Sequence, residues 1–453
     1  MFRTSCIVTC ILLIPITFLL NRYFTQIKVE IEQDGYFGSG VKKPDDDTIY
    51  EYKVIVDNQI LVDLKYRLEN SRITHLPLED SDDFYYGFNS NELQYIRDYW
   101  LNEYDWRKYE QLINEFDHFK TQIEGLNIHY IHSKPSKQYN YTLPLLLIHG
   151  WPTSVFEFYK FIPILTDPRQ FGFDTEYAFE VIVPSIPGFG WSDEPKKTKF
   201  SPLACARVFQ KLMNRLGFNK FYIQGGDWGY IINTLIAKVY PEKVMGLHSN
   251  LMLIPPFSSI RGTLIDIIGT FVPSILSSPE LQKSHNFFTK IGWLGAETGF
   301  MHIQGTKPDT IGAGLNDSPI GLAAYMLEKF STWTNKDYRG LNNGGLNNTF
   351  NYDELITHVM IYWLNSNVVS TLRFDRDFFI DADILKLSRQ YVSVPTGHAS
   401  GLREMIDRTP IEVSKYSYNI THYSEIDVGH FAALENPHLL AKSLFSFVSD
   451  LIE

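Results

Sequence analysis

The chain has 453 residues, 44% of them hydrophobic and 21% charged, and carries a formal net charge of −11. That length means one large domain with additions, or two domains, around a substantial core. The negative charge is spread along the chain with no basic block, which argues against a nucleic-acid partner. Apart from Cys6 and Cys10 near the N-terminus there is only Cys205, so the body holds neither a disulfide framework nor a thiolate metal site.

Cys6 to Leu20 is almost wholly apolar, and Tyr23 and Phe24 extend it past Arg22. No small-x-small cleavage site follows, so the stretch reads as an uncleaved anchor rather than a signal peptide. Arg3 precedes it, while Arg22, Lys28, Lys42 and Lys43 follow, a bias that places the body on the cytoplasmic side. Phe37 to Asp47 reads as a linker, and two helical patterns follow, Asp57 to Asn70 and Asn91 to Phe116. From Leu126 the period changes. Short β-rich runs at Ile128–His132, Leu143–Ile148, Phe179–Val183, Phe221–Gln224, Val244–Leu247, Tyr391–Val394 and Ile420–Tyr423 alternate with helical windows at Val155–Leu165, Leu203–Leu216, Tyr230–Val239 and His438–Leu451. Such alternation predicts a mostly parallel sheet covered on both faces. Between Leu251 and Trp363 the rhythm breaks into helical sequence punctuated by Pro and Gly, placed where a cap would sit over the sheet's C-terminal edge.

Gly225-Gly226-Asp227-Trp228-Gly229 is the most informative stretch. It joins a strand to a helix with small residues two before and two after the central side chain, the nucleophile-elbow pattern of α/β-hydrolases. A plain helix N-cap is the bland reading of the same Asp. As a nucleophile, a carboxylate opens a strained or activated C–X bond and leaves an alkyl-enzyme ester, which points to epoxides or alkyl halides. In this fold the chain order is nucleophile, acid, histidine. Glu404, shortly after a late strand, is the first choice of acid and Asp407 the fallback; His430, between the last strand and the final helix, is the base that activates water against the ester. The oxyanion hole would combine the amide of Trp228 with that of Trp151 in His149-Gly150-Trp151-Pro152. His149 itself reads as a packed scaffold residue. None of this chemistry calls for a metal or organic cofactor.

Several motifs in order carry a resemblance. They are Pro77-Leu78-Glu79-Asp80-Ser81, Tyr86-Gly87-Phe88-Asn89-Ser90-Asn91, His149-Gly150-Trp151-Pro152, Pro184-Ser185-Ile186-Pro187-Gly188, Gln224 to Gly229, Ser331-Thr332-Trp333-Thr334-Asn335 and Gly429-His430-Phe431-Ala432-Ala433. From about residue 50 onward the chain resembles the microsomal epoxide hydrolases, including the juvenile-hormone epoxide hydrolases of insects. The resemblance implies an α/β-hydrolase fold with a helical lid insertion and an N-terminal meander, preceded by a membrane anchor. The implied division is anchor 1–25, meander 26–125, first part of the core 126–250, lid 251–365 and second part of the core 366–453. It puts Asp227, Glu404 and His430 on the family's catalytic positions, and implies a lipophilic small-molecule epoxide as partner and an endoplasmic-reticulum membrane location. One departure stands out: the family's two lid tyrosines, which hydrogen-bond the epoxide oxygen, are replaced by Phe300 and Asp375. Asp375 could donate only if protonated, and Tyr325 or Tyr362 could substitute. With both phenols missing, a dehalogenase or a lipid-binding homologue with little activity stays open as an alternative.

Overall fold

The computed structural model describes residues 29, 31–73, 75–255, 258–405 and 408–452. Its strands are β1 (Tyr50–Tyr52), β2 (His118–Ile123), β3 (Leu126–Ser133), β4 (Tyr141–Leu147), β5 (Tyr177–Pro184), β6 (Phe221–Gln224), β7 (Val244–Ser249), β8 (Val392–Gly401) and β9 (Tyr418–Ile426). They form a single sheet in the order β1-β2-β3-β5-β4-β6-β7-β8-β9. β1, β2, β3 and β5 pair antiparallel, whereas every pairing from β5 through β4, β6, β7 and β8 to β9 is parallel. The central strands are continuous apolar runs because helices cover both their faces. Leu145, Leu146, Val181, Ile182, Phe221 and Ile223 are all fully buried.

Numbering the helices of six or more residues, α1 (Asn58–Glu69), α2 (Ser90–Asn102) and α3 (Trp106–Ile113) precede β2, and α4 (Pro202–Arg215) and α5 (Asp227–Val239) flank β6. Between β7 and β8 lies an all-helical insertion, from α6 (Ile260–Phe271) through α7 (Pro279–Ser284), α8 (Phe287–Glu297), α9 (Gly299–Thr306), α10 (Pro308–Asp317), α11 (Pro319–Thr332), α12 (Tyr352–Asn365) and α13 (Val368–Ile380) to α14 (Ala382–Ser388). The chain ends on α15 (Pro437–Ile452). Helical sequence thus continues beyond residue 365, because α13 packs along α9 and α10 before the chain returns to the sheet.

Other differences from the sequence reading have local causes. The pattern over Asn91–Phe116 is two helices, since the Asp105 side chain accepts from the Arg107 amide and starts α3 afresh. Val155–Leu165 is a 3-10 turn at Val155–Phe158 followed by a short helix, Ile162–Thr166, with Pro163 in its first turn. β1 and β2, which extend the sheet on its antiparallel side, have no counterpart among the predicted strands. The stretch from Phe37 to Asp47 is irregular but tightly fastened. The Phe37 amide donates to the Glu124 carbonyl (2.8 Å), its carbonyl accepts from Lys196, and the Asp45 carboxylate accepts the Glu124 and Gly125 amides of the β2–β3 turn. The apolar stretch Cys6–Leu20 lies outside the described residues; among those described, no helix is long and apolar enough to cross a membrane.

The same turn places Glu124 in a buried ion pair. Its side chain is fully covered and accepts two bonds from Arg207 of α4, at 2.6 and 2.8 Å, with Lys211 Nζ 2.8 Å away. Arg207→Met should therefore destabilise the fold by about 3 kcal/mol, because it leaves a buried carboxylate short of its main partner. Adding Glu124→Gln should recover part of that loss. Denaturant titration of the single and double variants checks this, and equal or additive losses would contradict it.

Candidate active site

The β6–α5 turn is steric necessity made visible. Asp227 opens α5 with φ +46°, a backbone conformation that costs about 1 kcal/mol or more for a residue with a side chain. A Cβ on Gly225 or Gly229 would drive into the carbonyl oxygen of Ile148 at the end of β4, and one on Gly226 into Asn250. Only glycine fits at these places, and the result is a carboxylate lifted clear of the sheet edge. Its side chain is 26% exposed among otherwise buried neighbours.

That carboxylate is held from one side and approached from the other. Asp227 Oδ1 accepts the Trp151 amide at 2.8 Å, and a Cβ on Gly150 would strike the Asp227 side chain, so the His149–Pro152 loop sits directly on the elbow. Trp228 is the second residue of α5, and its amide is among the four that lack an intrahelical acceptor. His149 is fully enclosed; its Nε2 accepts the Ile186 amide at 3.1 Å and burial lowers its pKa to about 4, so it stays neutral and structural.

His430 arrives from the loop after β9. Its Nδ1 lies 3.0 Å from Glu404 Oε1 and its Nε2 3.4 Å from Asp227 Oδ2, and Nε2 has no hydrogen-bond partner among the described residues. Burial opposes charge on the ring, but the Glu404 and Asp227 carboxylates outweigh it and raise the pKa well above the ordinary value. Glu404 Oε1 also accepts the Met405 amide at 3.0 Å, which fixes the acid. The structure therefore brings Asp227, Glu404, His430 and the Trp151 amide to one place. Asp407 lies outside the described residues.

Two further acids belong to this neighbourhood. Glu435 clamps the histidine loop: its carboxylate accepts the Gly429 amide at 2.7 Å and the Phe431 amide at 3.0 Å, with the His430 amide donating to Trp333 O at 3.0 Å. Glu157 is buried beneath the His149–Pro152 loop, accepts from Thr153 Oγ1 at 2.5 Å and has its pKa pushed up to about 7 by desolvation. Glu435 stands two residues past the Gly429–Ala433 motif, where a carboxylate five residues after His430 could have been flagged as a cap. Nothing in the spacing marks Glu157.

The insertion roofs the carboxylate with aromatic rings. Phe300 of α9 stacks on Trp151 (5.5 Å, 10°) and lies 5.2 Å from Trp333, with Lys329 Nζ 4.7 Å above its ring. Asp375 of α13 is buried, and desolvation, then the Asp227 charge, hold its pKa well above the carboxylate range. Tyr362 spends its hydroxyl proton on the Thr153 carbonyl at 2.7 Å. Tyr325, half-buried, stands edge-on to Trp151 at 5.9 Å.

Comparison with known proteins agrees with this architecture. Residues 49–158 match the family model described as epoxide hydrolase N terminus, and residues 144–273 that of the alpha/beta hydrolase fold. The chain is 44% identical to epoxide hydrolase 1 of Oryctolagus cuniculus, covering 92% of each chain, and 41% identical to juvenile hormone epoxide hydrolase 1 of Ctenocephalides felis, covering 94% of this chain and 91% of the other. Among solved structures it superposes on juvenile hormone epoxide hydrolase from Bombyx mori with a TM-score of 0.87 at 36% identity, over 93% of this chain and 99% of that one. Epoxide hydrolase of Aspergillus niger gives a TM-score of 0.70 at 27% identity, over 92% and 99%. With a carboxylate at the elbow, a histidine and acid beside it and these relatives over nearly its whole length, the chain belongs to the epoxide hydrolase family, on an α/β-hydrolase fold with a helical insertion.

Proposed function

We propose that this protein hydrolyses lipophilic epoxides to vicinal diols through a covalent ester on Asp227. The observation that carries the reading is the elbow carboxylate, with one oxygen fixed by the Trp151 amide and the other 3.4 Å from Nε2 of His430. Asp227 attacks an epoxide carbon, the electron pair of the C–O bond passes to oxygen, which takes a proton from an acid in the site, and a hydroxyalkyl-enzyme ester forms. His430, held by Glu404, then takes a proton from water as that water attacks the ester carbonyl. The Trp151 and Trp228 amides stabilise the oxyanion; as it collapses the departing alkyl oxygen takes the proton from His430, the diol leaves, and the restored carboxylate releases one proton that recharges the acid. The aromatic roof of Phe300, Trp151 and Trp333 suits an apolar substrate. No metal or organic cofactor enters these steps.

We also propose that the chain is anchored at its N-terminus and divided into three further parts. Residues 1–25 form a membrane anchor, 26–125 the meander, 251–365 the lid, and 126–250 with 366–453 the core; the protein sits on the endoplasmic-reticulum membrane with its body in the cytosol. The support is the apolar run Cys6–Leu20, which has no cleavage site after it.

A single turnover in heavy-oxygen water should place label first in the Asp227 carboxylate, because water attacks the ester carbonyl. Label confined to the diol would mean direct attack by water and would remove Asp227 from the nucleophile's role.

His430→Gln should leave ester formation intact and slow ester hydrolysis by about 10²–10⁴, the usual contribution of a general base. The pH profile adds a sign. The base acts when neutral, and in the ester, where Asp227 no longer carries charge, the Glu404 carboxylate still favours the charged ring, so hydrolysis should rise with pH through the His430 pKa that Glu404 holds up. Glu404→Gln should move that rise to lower pH. An unmoved profile would show that Glu404 does not act through the imidazole.

Carbonate extraction should leave the full chain in the membrane pellet and release a protein starting at Tyr50. A mature N-terminus beginning after Leu20 would show a cleaved signal instead.

A further inference from the structure

Both lid phenols implied by the family resemblance are absent, yet three polar side chains converge near the positions they would occupy. The Tyr325 hydroxyl on α11 lies 3.2 Å from the Gln304 amide on α9. The other end of that amide lies 3.1 and 3.3 Å from the two Asp375 carboxyl oxygens on α13. Gln304 is fully buried and Asp375 nearly so, whereas Tyr325 is only half-buried and packs against Trp151, whose amide holds the nucleophile. Phe300 has no proton to give, and the Tyr362 hydroxyl is engaged with Thr153.

An amide bridging a carboxyl and a phenol has two orientations, and the carboxyl selects between them. Were Asp375 ionised, it would accept from the Gln304 NH2 group, the Gln304 carbonyl would face Tyr325, and the phenol proton would be consumed there. With Asp375 neutral, its own O–H donates to the Gln304 carbonyl and the Gln304 NH2 donates to the Tyr325 oxygen. The phenol proton is then free for a ligand. Burial and the Asp227 carboxylate across the site both oppose charge on Asp375. The ionisable groups facing it are Asp227 from α5, Tyr362 from α12 and Tyr325 from α11. No cation pairs with it among the described residues: Arg373 pairs with Asp309, and Arg376 donates to the Gly305 carbonyl.

We propose that Tyr325 is the proton donor to the leaving epoxide oxygen, and that Gln304 with a neutral Asp375 are positioning residues that keep its proton free. The proposal rests on Asp227 as nucleophile. As Asp227 forms its bond to carbon, the C–O bond's electron pair passes to oxygen, and the alkoxide takes the Tyr325 proton to become a hydroxyl. Hydrolysis of the ester releases one proton net, which returns to the phenolate. Desolvation pushes the Tyr325 pKa up to about 12, still below that of an aliphatic alcohol, so the transfer runs downhill.

The test is single-turnover reaction of the full chain with styrene oxide. The ester on Asp227 is trapped by acid and read by mass, and diol release is followed in the same samples. Tyr325→Phe should slow ester formation by ~10², the order found for removing one well-placed donor, and leave ester hydrolysis unchanged. Gln304→Glu should be as slow, since its carboxylate captures the phenol proton. Asp375→Asn should form ester faster than Tyr325→Phe, because its NH2 replaces the acid's O–H toward Gln304 and keeps the phenol proton free. Native ester formation should decline at alkaline pH as Asp375 ionises, and Asp375→Asn should lose that decline. His430 and Glu157, which face Asp227, titrate in both proteins and cancel in the comparison. Native-rate ester formation by Tyr325→Phe, equal slowing of both its steps, or Asp375→Asn as slow as Tyr325→Phe would each overturn the proposal. Absence of any Asp227 ester in the native protein would instead overturn the nucleophile assignment, and the donor with it.

Discussion

Everything at this site follows from the absence of room around one peptide. The Ile148 carbonyl at the end of β4 presses on the backbone of Gly225 and Gly229, and Asn250 presses on Gly226. The chain between β6 and α5 can therefore turn only by forcing the intervening residue into left-handed backbone space, which Asp227 occupies at φ +46°. Strain of that kind persists only where surrounding structure over-determines it. Here the sheet, the Trp151 loop and the first turn of α5 meet on the same few atoms. The geometry of the carboxylate is a property of the sheet, fixed before any ligand arrives, which is what a nucleophile needs if reacting atoms are to meet at the correct angle.

Around that fixed carboxylate the protein sorts charge among buried acids by what each one touches. Asp227 has an amide and a nearby imidazole and keeps partial access to solvent. Glu404 has the imidazole and an amide. Among the described residues Asp375 meets an uncharged side-chain amide and no cation, and burial together with the negative charge of Asp227 favours its protonated form. A carboxyl group thus becomes a neutral hydrogen-bond donor, a role that ordinary solution chemistry denies it at neutral pH. The site separates like residues into unlike functions by environment alone.

Much of this was legible before the structure. Strand, tight turn and helix at Phe221–Val239 are local features, and small residues at fixed offsets report a steric demand that any sequence reader can see. The chain order of Asp227, Glu404 and His430 likewise survives projection onto one dimension. The antiparallel side of the sheet did not. β1 is three residues long, and β2 reads His-Phe-Lys-Thr-Gln-Ile, with too many polar residues to signal a strand unless its partner β3 is known. The break between α2 and α3 was hidden because apolar periodicity continues across it, although Asp105 is an ordinary cap. Among site residues, Glu435 lies two residues past a recognised motif and Gln304 one helical turn after Phe300, but both act through contacts that spacing does not show. Gln304 meets Tyr325 and Asp375 from three separate helices, and Glu157 reaches the site through Thr153.

The fastened segment ahead of the first helices has a mechanical meaning. Val29 and Ile31 pack on the core, the Glu32 carbonyl accepts from Arg207 at 3.1 Å, and the backbone of Phe37 bonds to both Glu124 and Lys196. The described residues ahead of β1 are therefore part of the body and not a tether to it. Arg207 is bonded at once to the Glu124 carboxylate and to the Glu32 carbonyl, so anything that pulls this segment away from the body pulls on the buried ion pair as well.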